Sequence, residues 1–189
     1  MHTSATLAKN QPISRSTVLS QTVWIALFAV ATALGARVEI PNTPVPYTLQ
    51  TLFVLLAGAF LGPRNGAISQ LLYLAVGVLG LPVFSLGGFG LAKLIGPTGG
   101  YLLAFPVAAT VVGFLVQRYT SRAGVLLSMG AGLLFIFTLG TLHLNTLYLH
   151  NLNAAITSGF VIFSWWDVIK LLAASTIYFE IAKRWRRIG

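Results

Sequence analysis

Asp167 and Lys170 stand three positions apart in "SWWDVIKLLAAS", residues 164–175, a run that is otherwise apolar or weakly polar. Residues three apart share a helix face, so the spacing predicts a carboxylate and an ammonium side by side. Ionisable groups inside a bilayer are costly and point by default to function. Two readings follow. In one the pair satisfies itself and fixes helix packing, with the lysine able to snorkel outward. In the other, which the remaining residues favour, Lys170 meets an anionic solute group and Asp167 orients it or accepts a donor.

Other polar residues gather in the connections. "IPNTPVPYTLQTLF", residues 40–53, carries three prolines and so cannot be helical throughout. It is a stiff loop that delivers Tyr47, Thr48 and Gln50 to the next apolar run, and a buried Gln must be hydrogen-bonded to something. "GPTGGY", residues 96–101, reads as a tight turn opening a helix, with Thr98 as its N-cap and Gly99 allowing close backbone approach. It lacks the Lys-Ser/Thr of a phosphate-binding loop, and the chain has no Walker motif with which to hydrolyse ATP. Arg37 and Glu39 read as water-exposed charges flanking a loop. His143 and His150, seven apart, are expected on one helix face as packing residues, since neither has a carboxylate near it in sequence. The absence of cysteine removes disulfides and zinc–thiolate sites. Catalysis would require Ser85 or Ser158 to meet a histidine and a third orienting group, which the sequence does not supply. The expectation is therefore a non-enzyme with no metal and no cofactor.

These residues must be positioned by membrane helices. The 189 residues are 56% hydrophobic and 8% charged, against about 25% charged in soluble domains. A helical span needs about 20 apolar residues, and six candidates stand at 18–36, 47–61, 66–81, 98–117, 124–149 and 160–182. The expected fold is an all-α integral membrane protein: a six-helix bundle over 18–189 preceded by a cytoplasmic tail, 1–17. The second and third spans are short. "GPRN" and "RYTSR" are tight connections, whereas "RVEIPNTPVP", "PVFSLGGFGLAKLIGP" and "HNLNAAITSG" are long. With the N-terminus inside, Lys9, Arg15, Arg64, Arg118, Arg122, Lys183, Arg184, Arg186 and Arg187 are all cytoplasmic, as the positive-inside rule asks. The net charge of +9 is thus explained by topology and not by nucleic acid. Both termini fall inside, and the long outer loops fold over a pocket. Cleavage of the first span as a signal peptide is disfavoured by its long polar leader and long apolar run. In that span Ala29, Ala33 and Ala36 form a small-residue stripe that admits a close helix partner.

The stretches "GARVEIPNTPVPYTLQTLFVLLAGAFLGPRNGAISQLLYLAVGVLGLPVF", "GPTGGYLLAF" and "DVIK" resemble the BioY family, the biotin-specific substrate-binding components of energy-coupling factor (ECF) transporters. The likeness runs from about residue 26 to 170. It implies a plasma-membrane protein that captures biotin from outside and works with a transmembrane coupling protein and two cytoplasmic ATPases. It assigns Asp167 and Lys170 to the biotin site and Ala29 and Ala33 to the coupling-protein face. Lys93 takes the place of a further loop contact. One departure is "SWW" before the aspartate, where the family carries Pro-Gly.

Biotin also suits the residues. Its carboxylate asks for a cation, offered by Lys170. Its ureido ring asks for partners such as Gln50, Thr48, Asn42 or the backbone near Gly99. Its thiophane ring asks for walls such as Phe84, Tyr47 and Tyr101. A mostly apolar lining with a few placed polar groups is usual for such sites. The alternatives are a biotin permease that acts without partners, alone or as a homodimer, and a component of the same kind for another vitamin.

Overall fold

In a bilayer, backbone groups find no water, so apolar runs satisfy their own hydrogen bonds as helices. The computed structural model describes residues 15–160 and 164–182. Among the described residues seven α-helices follow in order: α1 Arg15–Arg37, α2 Gln50–Val78, α3 Leu91–Ile95, α4 Gly99–Arg118, α5 Arg122–Leu144, α6 Leu152–Gly159 and α7 Ser164–Ala182. Two short strands, β1 Glu39–Ile40 and β2 Tyr47–Thr48, pair antiparallel with Glu39 opposite Thr48 and Ile40 opposite Tyr47. The chain is therefore mostly, but not wholly, helical. The proline-rich loop closes into this hairpin instead of remaining irregular.

The element α2 is two arms. Gly62 has φ 78° and ψ −179°, a conformation essentially open only to glycine. Pro63 then starts the second arm, where its missing N–H is no loss. The chain folds back there. The Gln50 amide donates to the Tyr73 hydroxyl at 2.5 Å, although 23 residues of straight helix would hold them about 35 Å apart. The arms touch backbone to backbone: a Cβ built on Gly66 would lie 3.0 Å from the Gly58 Cα. The two short spans read from the sequence are these two arms, and "GPRN" is the turn between them.

Among the described residues four helical stretches are long and apolar enough to cross a membrane: Val18–Arg37, Gln50–Val78, Gly99–Arg118 and Arg122–Leu149. The last is α5 continued by a π-helical turn, Asn145–Leu149. Because α2 folds back, each of its arms is shorter than the roughly 20 residues of a full span. The helix α7 has 19 residues, or about 28 Å of rise, and carries Asp167, Lys170 and Glu180. The tail 1–14 and the cations Lys183, Arg184, Arg186 and Arg187 lie outside the described residues.

The arms of α2 pack chiefly on α4, α4 on α5, and α1 on α2, with α7 closing against α2 and α5. Two buried clusters result. One, including Leu55, Val112, Met129 and Tyr178, fills the end of the bundle near the α2 turn. The other, including Val54, Tyr73, Phe84, Tyr101, Phe105 and Phe137, fills the end that carries the strands.

Two connections hold more structure than expected. Residues 150–159 contain α6, whose N-cap Asn151 accepts from the Ala154 amide at 3.1 Å. The histidines part company, because α5 ends at Leu144 and the π-helical turn carries the chain to His150, which has a left-handed backbone. His143 instead meets the Gly96 carbonyl oxygen at 3.0 Å and pins the turn before α4.

Candidate functional site

The helix α7 brings Asp167 and Lys170 onto one face, as their spacing dictates. The Lys170 Nζ lies 2.6 Å from the Asp167 Oδ1, and the side chains are only 4% and 1% exposed. Neither ion rests on its partner alone. The Thr51 hydroxyl, in the first turn of α2, donates to Asp167 Oδ1 at 2.9 Å. The Lys170 Nζ donates to the Thr48 carbonyl oxygen at 2.9 Å, so one end of β2 is tied to α7. Lys170 retains a third N–H. The Asp167 Oδ2 is buried and has no hydrogen-bond partner among the described residues.

From Thr48 a polar chain continues. Its hydroxyl donates to Gln50 Oε1 at 3.1 Å, the Gln50 amide donates to Tyr73, and the Tyr73 hydroxyl faces the Val83 carbonyl oxygen at 3.4 Å. The buried Gln50 thus has protein partners on both sides of its amide. Thr98 occupies the N-cap position of α4 as expected, but its side chain makes no cap bond. Its hydroxyl is buried and without a partner among the described residues. Tyr101, in the first turn of α4, donates to the Gly159 carbonyl oxygen at 2.8 Å.

Thr48, Gln50, Thr98, Tyr101, Asp167 and Lys170 line one cavity, the polar groups meeting apolar walls that include Phe105, Ile136 and Phe137. The space is about 40 Å³, room for a few water molecules. A larger space of about 370 Å³ lies along α1, lined by Ala29, Ala33, Tyr73 and Val83, with Arg37 as its one charged group. It is wider but nearly all apolar. The smaller cavity is the one lined by the buried acid–base pair and its polar neighbours.

Other expected site residues fall elsewhere. Tyr47 is half-buried against the core from β2. Phe84 is fully buried behind Tyr73, with ring centroids 5.5 Å apart in an edge-on contact. Gly99 is buried at the start of α4 beneath Leu94 and beside His143. Lys93 sits on α3 with its methylenes over Gly88 and does not line the cavity. The Asn42 amide donates to the Val45 carbonyl oxygen at 3.0 Å and braces the hairpin turn. Sequence reasoning missed Thr51 and Ser85, both of which line the cavity. The signal for Thr51 was its place beside Gln50 in the first turn of a span. Ser85 carried none, because its placement depends on a loop.

A bundle of long apolar helices, roofed at one end by a hairpin and a loop over a buried acid–base pair, defines a multi-pass membrane protein. The particular kind follows from its relatives. The chain belongs to the BioY family, the match spanning residues 5–187. It is 41% identical over 165 residues to the biotin transporter BioY of Thermotoga maritima, covering 87% of this chain and 97% of that one. It is 36% identical over 160 residues to biotin transporter BioY2 of Lactococcus lactis, covering 84% and 87%. Its fold matches a crystal structure of the S-component for biotin from an ECF-type ABC transporter, with a TM-score of 0.86 and 27% identity over 92% of this chain and 96% of that one.

Proposed function

We propose that this chain takes up biotin as the membrane-embedded binding component of an ECF transporter, with Asp167 and Lys170 at its binding site. The observation that carries the reading is the unpartnered Asp167 Oδ2 beside Lys170, with the unpartnered Thr98 hydroxyl in the same cavity. A pair kept only for packing would be satisfied throughout, because an unpaired buried polar atom costs about 1–3 kcal/mol. These two atoms are poised for a ligand.

The pair is neutral as a unit, which favours a pose other than the expected one of Lys170 on the biotin carboxylate. A carboxylate placed beside Asp167 would meet a like charge. The ureido ring fits better: its oxygen accepts the remaining Lys170 N–H, and one of its N–H groups donates to Asp167 Oδ2. The thiophane ring then lies against Phe105 and Phe137, and the valerate chain points toward the loops. Titration calorimetry on the purified chain tests this. Biotin and biotin amide are expected to bind comparably, whereas lipoic acid, thiamine and riboflavin are not. Binding of lipoic acid at biotin's strength would reject the ureido assignment. No biotin binding by a folded sample would reject the function.

Thr98→Val is expected to weaken biotin binding about tenfold, the worth of one hydrogen bond in a dry site. The unliganded protein should be unchanged or slightly more stable, because the hydroxyl has no partner to lose. Calorimetry paired with thermal unfolding reads both effects.

The topology that accompanies this function is six crossings, with both arms of α2 and α7 included and both termini cytoplasmic, in one domain over 18–189. The placement of Arg64, Arg118 and Arg122 at the connections away from the site supports it. The site then opens outward. With no ATP-binding motif of its own, the chain depends on a coupling protein and two cytoplasmic ATPases, the coupling protein meeting α1 where Ala29 and Ala33 leave an apolar groove.

A further inference from the structure

A cavity of about 40 Å³ is far below the 300 Å³ or more of ordinary ligand pockets. A solute of biotin's size therefore enters only as a wall moves. Most of the walls are long packed helices. Two walls lack such support: the hairpin, which contributes Val45, Pro46 and Thr48 and is tied to α7 through the Thr48 carbonyl oxygen, and the segment 79–90, which contributes Ser85 and has no such tie to α7.

That segment is held at named points. Phe84 is fully buried against Tyr73. Arg37 donates to the Pro82 carbonyl oxygen. Both oxygens of Glu39 accept from the Leu86 amide, at 3.1 and 2.9 Å. Leu86 has φ 56° and ψ 31°, a left-handed conformation that disfavours side-chain-bearing residues. A carboxylate gripping a backbone N–H is among the stronger hydrogen bonds, and here it secures a turn that the sequence alone would not choose. Glu39 also stands directly opposite Thr48 in the hairpin, and the Thr48 carbonyl oxygen receives Lys170. One rung therefore links the loop to the buried pair.

We infer that Glu39 is a positioning residue that latches the segment 79–90 over the cavity and so governs how fast ligand enters and leaves. The kinetic part rests on the reading that this cavity takes biotin; the latch itself does not. The experiment combines hydrogen exchange on the unliganded full chain in nanodiscs with biotin association and dissociation rates, for wild type, Glu39→Ala and Glu39→Gln. In Glu39→Ala, the peptide containing Leu86 is expected to lose protection, and dissociation to quicken about tenfold or more, in keeping with loss of a charge-assisted bond. Association should quicken as well, which general destabilisation would not produce. Glu39→Gln keeps one acceptor oxygen and should fall between. It also serves as the test variant if Glu39→Ala does not fold. Unchanged exchange at Leu86 in a folded variant would overturn the latch. Lost protection with wild-type rates would overturn its control of the site. If wild type binds no biotin, the proposed function fails, and the exchange comparison still decides whether Glu39 holds the loop.

Discussion

Lys170→Met is expected to lower biotin affinity at least a hundredfold and to destabilise the folded protein by about 3–5 kcal/mol, the cost of leaving one ion of a buried pair uncompensated. Lys170 is 4% exposed and its partner Asp167 1%, so water cannot take over. Thr51 would still donate to Asp167 Oδ1, but one neutral donor does not replace an ammonium at 2.6 Å. The Thr48 carbonyl oxygen would lose its donor too, loosening β2 from α7. The double substitution Asp167→Asn with Lys170→Met separates binding from folding. It removes both charges, and replacing a whole buried pair with neutral groups is often harmless to stability. Most of the unfolding temperature should return while biotin binding stays lost. Thermal unfolding and calorimetry on the three proteins decide. A double variant that binds biotin as wild type does would return the pair to a packing role.

The second large effect lies at the opposite end of the molecule. Gly58→Leu is expected to destabilise by about 3 kcal/mol or more, the upper range for overpacking. A Cβ on Gly58 would strike the Ala109 carbonyl oxygen on α4 and come within 3.0 Å of the Val112 Cβ. Backbone cannot swing aside as a long side chain can. Small residues let membrane helices pack at this distance, and here they permit α2 to lie on α4. The contrast is Gly130→Ala in α5, where the added methyl would meet only Leu171, at 3.9 Å. Replacing that helical glycine should be neutral or stabilise by about 0.5–1 kcal/mol. Chemical denaturation in detergent measures both. A wild-type midpoint for Gly58→Leu would mean that the α2–α4 contact is not as close as described.

Several features are legible in the residues alone. Apolar length places the helices to within a few residues, and the "GPRN" turn between two short runs foretells a folded-back pair. The adjacency of Asp167 and Lys170 follows from helix geometry, and a stiff loop delivering Thr48 and Gln50 follows from its prolines. Each of these is local: the covalent chain and the 3.6-residue period decide it within about one helical turn.

What the tertiary structure alone decided lies between elements. Nothing in the sequence paired Thr51 with Asp167 across 116 residues or the Thr48 backbone with Lys170 across 122. Of the aromatic walls expected from sequence, Tyr101 lines the cavity and Tyr47 and Phe84 do not. Phe105 and Phe137 face the cavity, whereas Phe84 packs behind Tyr73. Arg37 and Glu39 keep the water exposure expected of them, but their bonds to the 79–90 loop had no signal in the sequence. The cause is common to all of these. A soluble helix declares its inner face by an apolar stripe, but a helix in lipid is apolar all round, so its sequence does not fix which side turns inward. That rotation is set by close packing at glycines such as Gly58 and by the few buried polar groups that must find one another, and both exist only once the helices are assembled.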